Sequence, residues 1–474
     1  MTYRETIDFL CSLRVFGIKL GLENMERLLE RLGRPHNGLR FIHIAGTNGK
    51  GSVAAMLAAT YQEAGYRTGL YTSPHLVSFC ERIQVNREMI REMDVVRLIE
   101  RLRPELSKVE GMQGHRHPTF FEVVTALALL YFQEQKVDIV IWETGLGGRL
   151  DATNVVTPLV SVITNIHWDH QTYLGNTLED IAKEKAGIIK PGIPVVTATT
   201  ELEALEVIEE TCEERKSPLT RVGIDVRVHQ LDEDLQGQDI ELHGTKAHYG
   251  VLELPLLGAH QAINAATAVV AVEAAGVEAP VPGCVAGDVE SSGKPGQPRT
   301  AATTPPTLDH VRQGLRHAHW PGRFQLVQST HPRVVLDGAH NIAGVVELKS
   351  TLIKHFPDAH FIFIVGILKD KNYPVMCAEI ANLADVLFAV QVKNERSADP
   401  VELARVCRGL NPKAEVEAQL HLTEAYERAR HYAASIPHAL IVITGSLFLV
   451  GEAMHRLPLG LKEKRGQGAE LTLQ

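Results

Sequence analysis

The run Gly46-Thr47-Asn48-Gly49-Lys50-Gly51-Ser52 narrows the possible folds more than any other stretch of this chain. It follows Phe41-Ile42-His43-Ile44-Ala45, an apolar run suited to a buried strand, and precedes residues 53–60, rich in Ala, Met and Leu, which favour helix. A strand that passes through a glycine turn straight into a helix is the opening unit of a parallel α/β sheet. The glycines let backbone N–H groups approach anionic oxygens, the helix N-terminus adds partial positive charge, and Lys50 adds a full one. The stretch therefore reads as a phosphate cradle. It departs from the common P-loop spacing: Ile44 stands six residues before Lys50 where glycine is usual, and Gly51 separates the lysine from Ser52.

The rest of the chain repeats the alternation that the cradle announces. Residues 68–72, 137–142, 159–164 and 194–197 are predicted strands, and 120–132, 177–186 and 260–275 predicted helices, with two short helices between residues 3 and 33. Polar alternation over 220–256 predicts a small antiparallel extension, and the Pro-, Gly-, Ser- and Thr-rich stretch 280–306 a flexible insertion without chemistry. A helix over 308–319 is broken by Trp320-Pro321-Gly322-Arg323-Phe324, after which strands at 334–337, 361–365, 386–390 and 440–444 form a second series. The expected fold class is α/β: a P-loop parallel-sheet ATPase domain over 1–322, then a smaller Rossmann-like α/β domain over 323–474. A chain of 474 residues accommodates two or three domains. The second series has no dinucleotide-type glycine loop, so no nicotinamide cofactor is expected.

A net charge of -9 gives no global basic field, which argues against nucleic acid as a partner. The six cysteines, Cys11, Cys80, Cys212, Cys284, Cys377 and Cys407, are scattered singly, so neither a disulfide framework nor a zinc cluster is expected. Glu5 and Asp8 in the first turns do not fit a signal peptide, and the longest apolar stretch, 439–451, is too short to span a bilayer. A reducing cytoplasm and no membrane association are the expectation.

Three constellations carry candidate chemistry. Glu143 ends a strand expected beside the cradle strand, where a carboxylate holds a hard cation against phosphates. His167-Trp168-Asp169-His170 ends the next strand; an imidazole there serves as a second ligand for Mg²⁺ or Mn²⁺ or as a general base, and no third ligand for zinc stands nearby. Lys183 and Lys185 occupy the last turn of a helix that ends at Gly187, where physics alone makes them complements of the helix dipole.

With these residues in view, the chain resembles the bacterial folylpolyglutamate synthases, some also dihydrofolate synthases, of the Mur ligase superfamily. The likeness runs through the cradle with its extra glycine, Ser73-Pro74-His75-Leu76, Phe121-Glu122, residues 143–154 and 169–191, His260 to Ala265, Trp320 to Phe324 and Asp337-Gly338-Ala339-His340-Asn341. Only the stretch 280–306 lies outside it. The resemblance implies ATP contacts from Thr47, Asn48, Gly49, Lys50, Gly51, Ser52, Asn264, Arg323 and Asp337, and two Mg²⁺ ions with Ser73, Glu143 and His170 as ligands. It makes Lys185 a carbamylated lysine and puts His340 near the γ-phosphate and the incoming L-glutamate, with Ser446 as a further candidate for the glutamate pocket. Lys50, Lys185 and His340 are thus the catalytic candidates. Phe120 or Phe121 would stack the pterin of a folate or dihydropteroate, under a loop that includes Leu174.

The chemistry so implied is phosphorylation of a folate carboxylate by ATP and attack of the glutamate amine on the acyl phosphate, in a monomer. Lys369, Lys371, Lys393 and Arg396 are candidates for holding the acidic substrates. The rivals are a ligase of the same superfamily acting on another carboxylate, such as a cell-wall precursor, and a nucleotide switch without ligase activity. Asp337 and His340 in a second domain speak against the switch.

Overall fold

The structure is a computed structural model that describes residues 1–17, 21–110, 116–276 and 304–459. Strands β1 (Phe41–Ala45), β2 (Thr68–Tyr71), β3 (Ile83–Val85), β4 (Glu88–Met89), β5 (Ile139–Glu143), β6 (Val160–Ile163), β7 (Val195–Thr197) and β8 (Leu219–Arg221) form one sheet. Its order is β4-β3-β2-β5-β1-β6-β7-β8, parallel throughout except for β3 and β4 at one edge. β1 and β5 are buried at every residue because helices cover both faces, which is why they read as largely apolar runs, interrupted only by His43 and ended by Glu143.

The helix Lys50–Glu63 has no polar face, since residues 51–61 are all buried. It is packed between the sheet and the helices Ala259–Ala275 and Leu308–Arg316. The approach is close: a Cβ on Gly314 would stand 2.4 Å from Thr60.

The expected antiparallel extension is a three-stranded sheet of β9 (Arg227–Glu233), β10 (Gln238–His243) and β11 (His248–Leu254) in the order β11-β10-β9. Ile240, Leu242, Leu252 and Leu254 point into the core, which leaves Asp239, Glu241 and His243 on the outer face. The second series forms the third sheet: β12 (Gln325–Gln328), β13 (Arg333–Leu336), β14 (His360–Val365), β15 (Val386–Val390), β16 (Glu415–Gln419) and β17 (Ala439–Thr444). The order is β12-β13-β17-β14-β15-β16, with only β12 antiparallel.

Several elements were not foreseen, among them the helices Glu92–Glu110, Leu202–Arg215 and Leu447–Arg456 and the strands β3, β4, β12 and β16. Of the expected insertion 280–306, residues 280–303 lie outside the described residues. The register that matters for function pairs Ile44 with Glu143 and Ala45 with Ile163, so the cradle is flanked at the carboxyl ends of its two neighbours. Ligands in open α/β sheets lie at such ends.

Candidate active site

The cradle leaves β1 at Gly46 and enters its helix with Gly49 as N-cap at φ +83. Its tight turn rests on neighbours that no larger residue would admit. A Cβ on Gly49 would come within 2.4 Å of the Asn264 carboxamide oxygen, and one on Gly51 within 2.6 Å of the Trp320 ring. The glycine that sets this loop apart from the common spacing is thus the seat of an indole. Thr47 and Asn48 are fixed from β6's end, where their N–H groups donate to the backbone oxygen and the side-chain oxygen of Asn165, both at 2.8 Å. Lys50 folds back, its Nζ donating to the carbonyls of Gly46 (2.9 Å) and Thr47 (3.2 Å). Burial lowers its pKa, while Glu143 and Asp169 oppose that shift.

Glu143 is buried and accepts the Ser73 N–H at 3.0 Å. Burial lifts its pKa to about 7 against the pull of Lys50, so this carboxyl gains from any cation placed beside it. The loop that follows is closed by Asp151, whose Oδ2 accepts the N–H groups of Gly145 (3.0 Å) and Leu146 (2.8 Å). Its Oδ1 accepts the N–H and hydroxyl of Thr153 at 3.0 and 2.5 Å.

Lys185 is not a solvated helix-end cation, as local sequence alone would have it. Only 4% exposed, it turns inward from the last turn of the helix Leu178–Ala186 and donates to the Gly46 carbonyl at 2.8 Å. Burial, with Lys50 nearby, lowers its pKa to about 7. The same turn holds the neighbouring loop: Glu184 O accepts the Arg149 N–H at 2.7 Å, and Gly148 lies so close that a Cβ would stand 2.8 Å from Lys185 O.

Asp169 is the hub that the sequence reading passed over. It is buried, which raises a carboxyl pKa, yet His170, Lys371 and His340 around it hold it well below the usual range. Lys371 Nζ donates to its Oδ1, and Asn341 Nδ2 to its Oδ2 at 3.3 Å. Asn341 in turn exchanges two amide hydrogen bonds with Asn48 of the cradle, at 2.8 and 3.2 Å. His170 stands at φ +52, its Nε2 3.9 Å from Asp169 Oδ2, and burial lowers its pKa to about 3. His340 Nδ1–H donates to Gly338 O at 2.8 Å. Burial lowers its pKa to about 4, so the ring is neutral near pH 7, with Nε2 bearing a lone pair.

Arg323 and Asp337 meet where the chain enters the third sheet. Asp337 accepts the Phe324 N–H at 2.7 Å and the Ala339 N–H at 2.8 Å. Burial raises its pKa, Arg323 opposing, and burial lowers that of Arg323, Asp337 opposing. Residues of both α/β units enclose one cavity of about 700 Å³. Its walls include every candidate for the phosphates, nucleotide and metal, from Gly46–Ser52, Ser73, Glu143, His170 and Lys185 to Asn264, Arg323, Asp337 and His340, and also Leu174.

The remaining candidates lie elsewhere. Phe120 packs with the guanidinium groups of Arg14 and Arg82 at 5.2 and 5.6 Å, and Phe121 lies against Gly145 behind the wall. Ser446 is 1% exposed, and its hydroxyl caps a helix by accepting the Leu449 N–H at 3.1 Å. Of the four basic candidates, Lys371 is spent on Asp169, Lys393 pairs with Glu452 at 3.3 Å and Arg396 with Asp370 at 3.2 Å. The five described cysteines are unpaired, and among the described residues no helix is long and apolar enough to cross a membrane.

The chain is similar to known proteins along most of its length. Residues 44–272 match the Mur ligase middle domain and residues 322–447 the Mur ligase glutamate ligase domain. The chain is 35% identical over 461 residues to the dihydrofolate synthase/folylpolyglutamate synthase of Bacillus subtilis, covering 96% of this chain and 99% of that one. The Mycobacterium tuberculosis folylpolyglutamate synthase complexed with ADP and AMPPCP superposes with a TM-score of 0.83 at 30% identity, covering 96% of this chain and 98% of that one. An FPGS–AMPPCP–folate complex superposes with a TM-score of 0.79 at 32% identity, covering 97% and 100%.

Proposed function

The chain belongs to the folylpolyglutamate synthase and dihydrofolate synthase family of Mur ligases, and on that premise we propose how the residues of the cavity divide the work. The protein is an ATP-dependent ligase that joins glutamate to a folate. The observation that carries the assignment of roles is the convergence of the cradle, Glu143, Lys185, Arg323 and His340 on one cavity between the two α/β units.

The loop 46–52 and Lys50 bind the ATP phosphates, Arg323 adds a second cation, and Asn264 and Asp337 hold the rest of the nucleotide. Asp337 keeps capacity for a ribose hydroxyl, since each of its oxygens has accepted one hydrogen bond. Glu143 and Ser73 offer oxygen donors and His170 a nitrogen, a set suited to Mg²⁺, and the raised pKa of Glu143 fits a group awaiting a cation. Two Mg²⁺ ions, when bound, neutralise the phosphate charge. With its pKa lowered to about 7, Lys185 supplies a share of neutral amine for reaction with CO₂: the N–C bond forms, one proton leaves to solvent, and the neutral amine becomes an anion with two oxygen donors.

A carboxylate oxygen of the folate forms a bond to the γ-phosphorus as the bond to the bridging oxygen breaks, giving an acyl phosphate and ADP. Lys50 and Arg323 stabilise the charge that moves. The glutamate amine then attacks the acyl carbon and phosphate leaves. His340 is placed to take the amine's proton at Nε2, because its Nδ1–H is committed to Gly338 O. Lys371, paired with Asp169, positions that carboxylate beside His170 and His340.

Dihydropteroate is a second acceptor in this reading. The domain boundary falls at residues 322 and 323, the chain acts as a monomer because one copy completes the cavity, and the five described thiols, none of them in a disulfide, fit the cytoplasm. Incubation with ATP, Mg²⁺ and glutamate, with tetrahydrofolate or dihydropteroate in turn, tests this by mass spectrometry. The expected product gains one glutamyl unit per ADP formed; ADP release independent of glutamate and pterin would overturn the reading.

A further inference from the structure

We infer that the tip of the β10–β11 hairpin is a binding site for a transition-metal ion of the Zn²⁺ class, held by Glu241, His243 and His248. Among the described residues, these three form a group whose ligand atoms all lie within 4.8 Å of one another. Their placement follows from strand geometry. Glu241 and His243 are two apart on β10 and share its outer face, while His248 is the cross-strand partner of His243. The register shifts between Leu242 and His243, and a bulge of this kind re-aims the side chain beside it. The two imidazoles lie face to face, ring centroids 4.0 Å apart and planes at 16°, with Glu241 Oε1 3.9 Å from His243 Nε2.

The scaffold beneath them is fixed. The turn joining the strands closes with the Gly244 N–H donating to Ala247 O at 2.9 Å. It is also pinned to the helix Ala259–Ala275 by Glu273, a buried carboxylate that accepts from the Thr245 N–H (2.9 Å), the Thr245 hydroxyl (2.7 Å) and the Lys246 N–H (3.2 Å). A hairpin held at its tip by a core carboxylate fixes the backbone from which the three side chains project, so only rotation of the stacked rings about their side-chain torsions remains for their lone pairs to converge on an ion.

The donor set decides the ion. Two imidazoles and one carboxylate make a three-ligand set that suits Zn²⁺ with a water in the fourth position, and imidazole also suits Ni²⁺ and Cu²⁺. Mg²⁺, a hard cation that prefers oxygen ligands and its own waters, competes poorly for a site in which two of the three donors are imidazoles. The site is separate from the catalytic chemistry, yet β9 of the same sheet contributes Val228 and Gln230 to the wall of the ATP cavity. Ion binding would brace that wall from its outer side.

The test uses the full-length protein, stripped of metal and kept in excess Mg²⁺ so that oxygen-rich sites are filled. Titration with ZnCl₂ by calorimetry is expected to show one saturable site per chain, weakened at least about tenfold by His243→Ala or His248→Ala and less by Glu241→Gln. Zn²⁺ is also expected to raise the Tm of the native protein and not that of the doubly substituted one. Zinc-edge anomalous diffraction from native crystals is expected to place a peak among the three side chains. No saturable uptake, unchanged binding in the double variant, or a peak elsewhere would each overturn the site.

Discussion

Two glycine-rich loops leave neighbouring strands of the same sheet, residues 46–52 after β1 and 145–149 after β5, and they commit their backbone donors differently. In the second, Gly145, Leu146 and Arg149 have already given their N–H groups to Asp151 and Glu184. In the first, Asn165 fixes only Thr47 and Asn48, and the chain then enters a helix whose opening N–H groups have no partner within the helix itself. Glycine content therefore does not mark an anion site. What marks it is a set of donors left over once the fold has been satisfied. The last turn of the helix Leu178–Ala186 lies against both loops, giving Lys185 Nζ to one and Glu184 O to the other.

The comparison breaks most visibly at Lys50. Lys50→Ala is expected to lower the rate of amide formation about 100- to 1,000-fold, the usual effect of removing one preorganised donor from a transferring group. Circular dichroism should remain native. A folded variant with normal turnover would reduce the first loop to a turn like the second.

Lys185 is the next test, since it bears on both loops. Lys185→Ala is expected to lose about 10- to 100-fold in activity, with partial recovery in acetate or formate, whereas Lys185→Arg fills the space with a fixed cation and is not rescued. The pKa sets the direction with pH. The neutral amine that attacks CO₂ prevails above about 7, so activation by bicarbonate should fade as pH falls through that value. In CO₂-free buffer the folded lysine releases its proton near 7 and the unfolded one near 10.5. Stability should therefore rise with pH between those values, and Lys185→Met should lack that rise in urea titrations.

Asp151 sharpens the comparison from the other side. Asp151→Asn replaces one accepting oxygen with an amide that faces donors, and is expected to cost about 1–3 kcal/mol in urea unfolding. The smallest effect belongs to Arg396, exposed and paired with Asp370. Arg396→Ala should change stability by less than about 1 kcal/mol and leave the KM for glutamate unaltered; a large rise would restore it to the substrate site.

What the sequence disclosed follows the same division. β1, β5 and β6 were legible because burial on both faces makes them largely apolar, with His43, Glu143 and Ser161 as the single polar residue of each. β16, with the sequence Glu-Val-Glu-Ala-Gln, is an edge strand with one fully buried residue and offered no such run. The helix Glu92–Glu110 carries Val95, Leu98, Ile99, Leu102, Leu106 and Val109 at helical spacing, a signal left unread beside Pro104 in its interior. The direction of Lys185 could not be read locally, because a lysine in a last turn points to water or to the core according to what packs on it. Asp169 was hidden for a related reason: its partners Lys371 and Asn341 stand 202 and 172 residues away.

The turn at Gly322–Phe324 is at once the place where the chain passes from one α/β unit to the other and part of the cavity wall, through Arg323 and Phe324, with Asp337 fastening it from the far side. A connector of this kind cannot be lengthened, cut or exchanged without rewriting the binding site. A division there would leave the cradle and Asn264 on one polypeptide and Arg323 and Asp337 on the other, so the cavity wall would be split between them. Recombination that grafts a different second unit onto this first one has to carry the turn and its aspartate along with it. The seam between the units is thus the least modular part of the molecule.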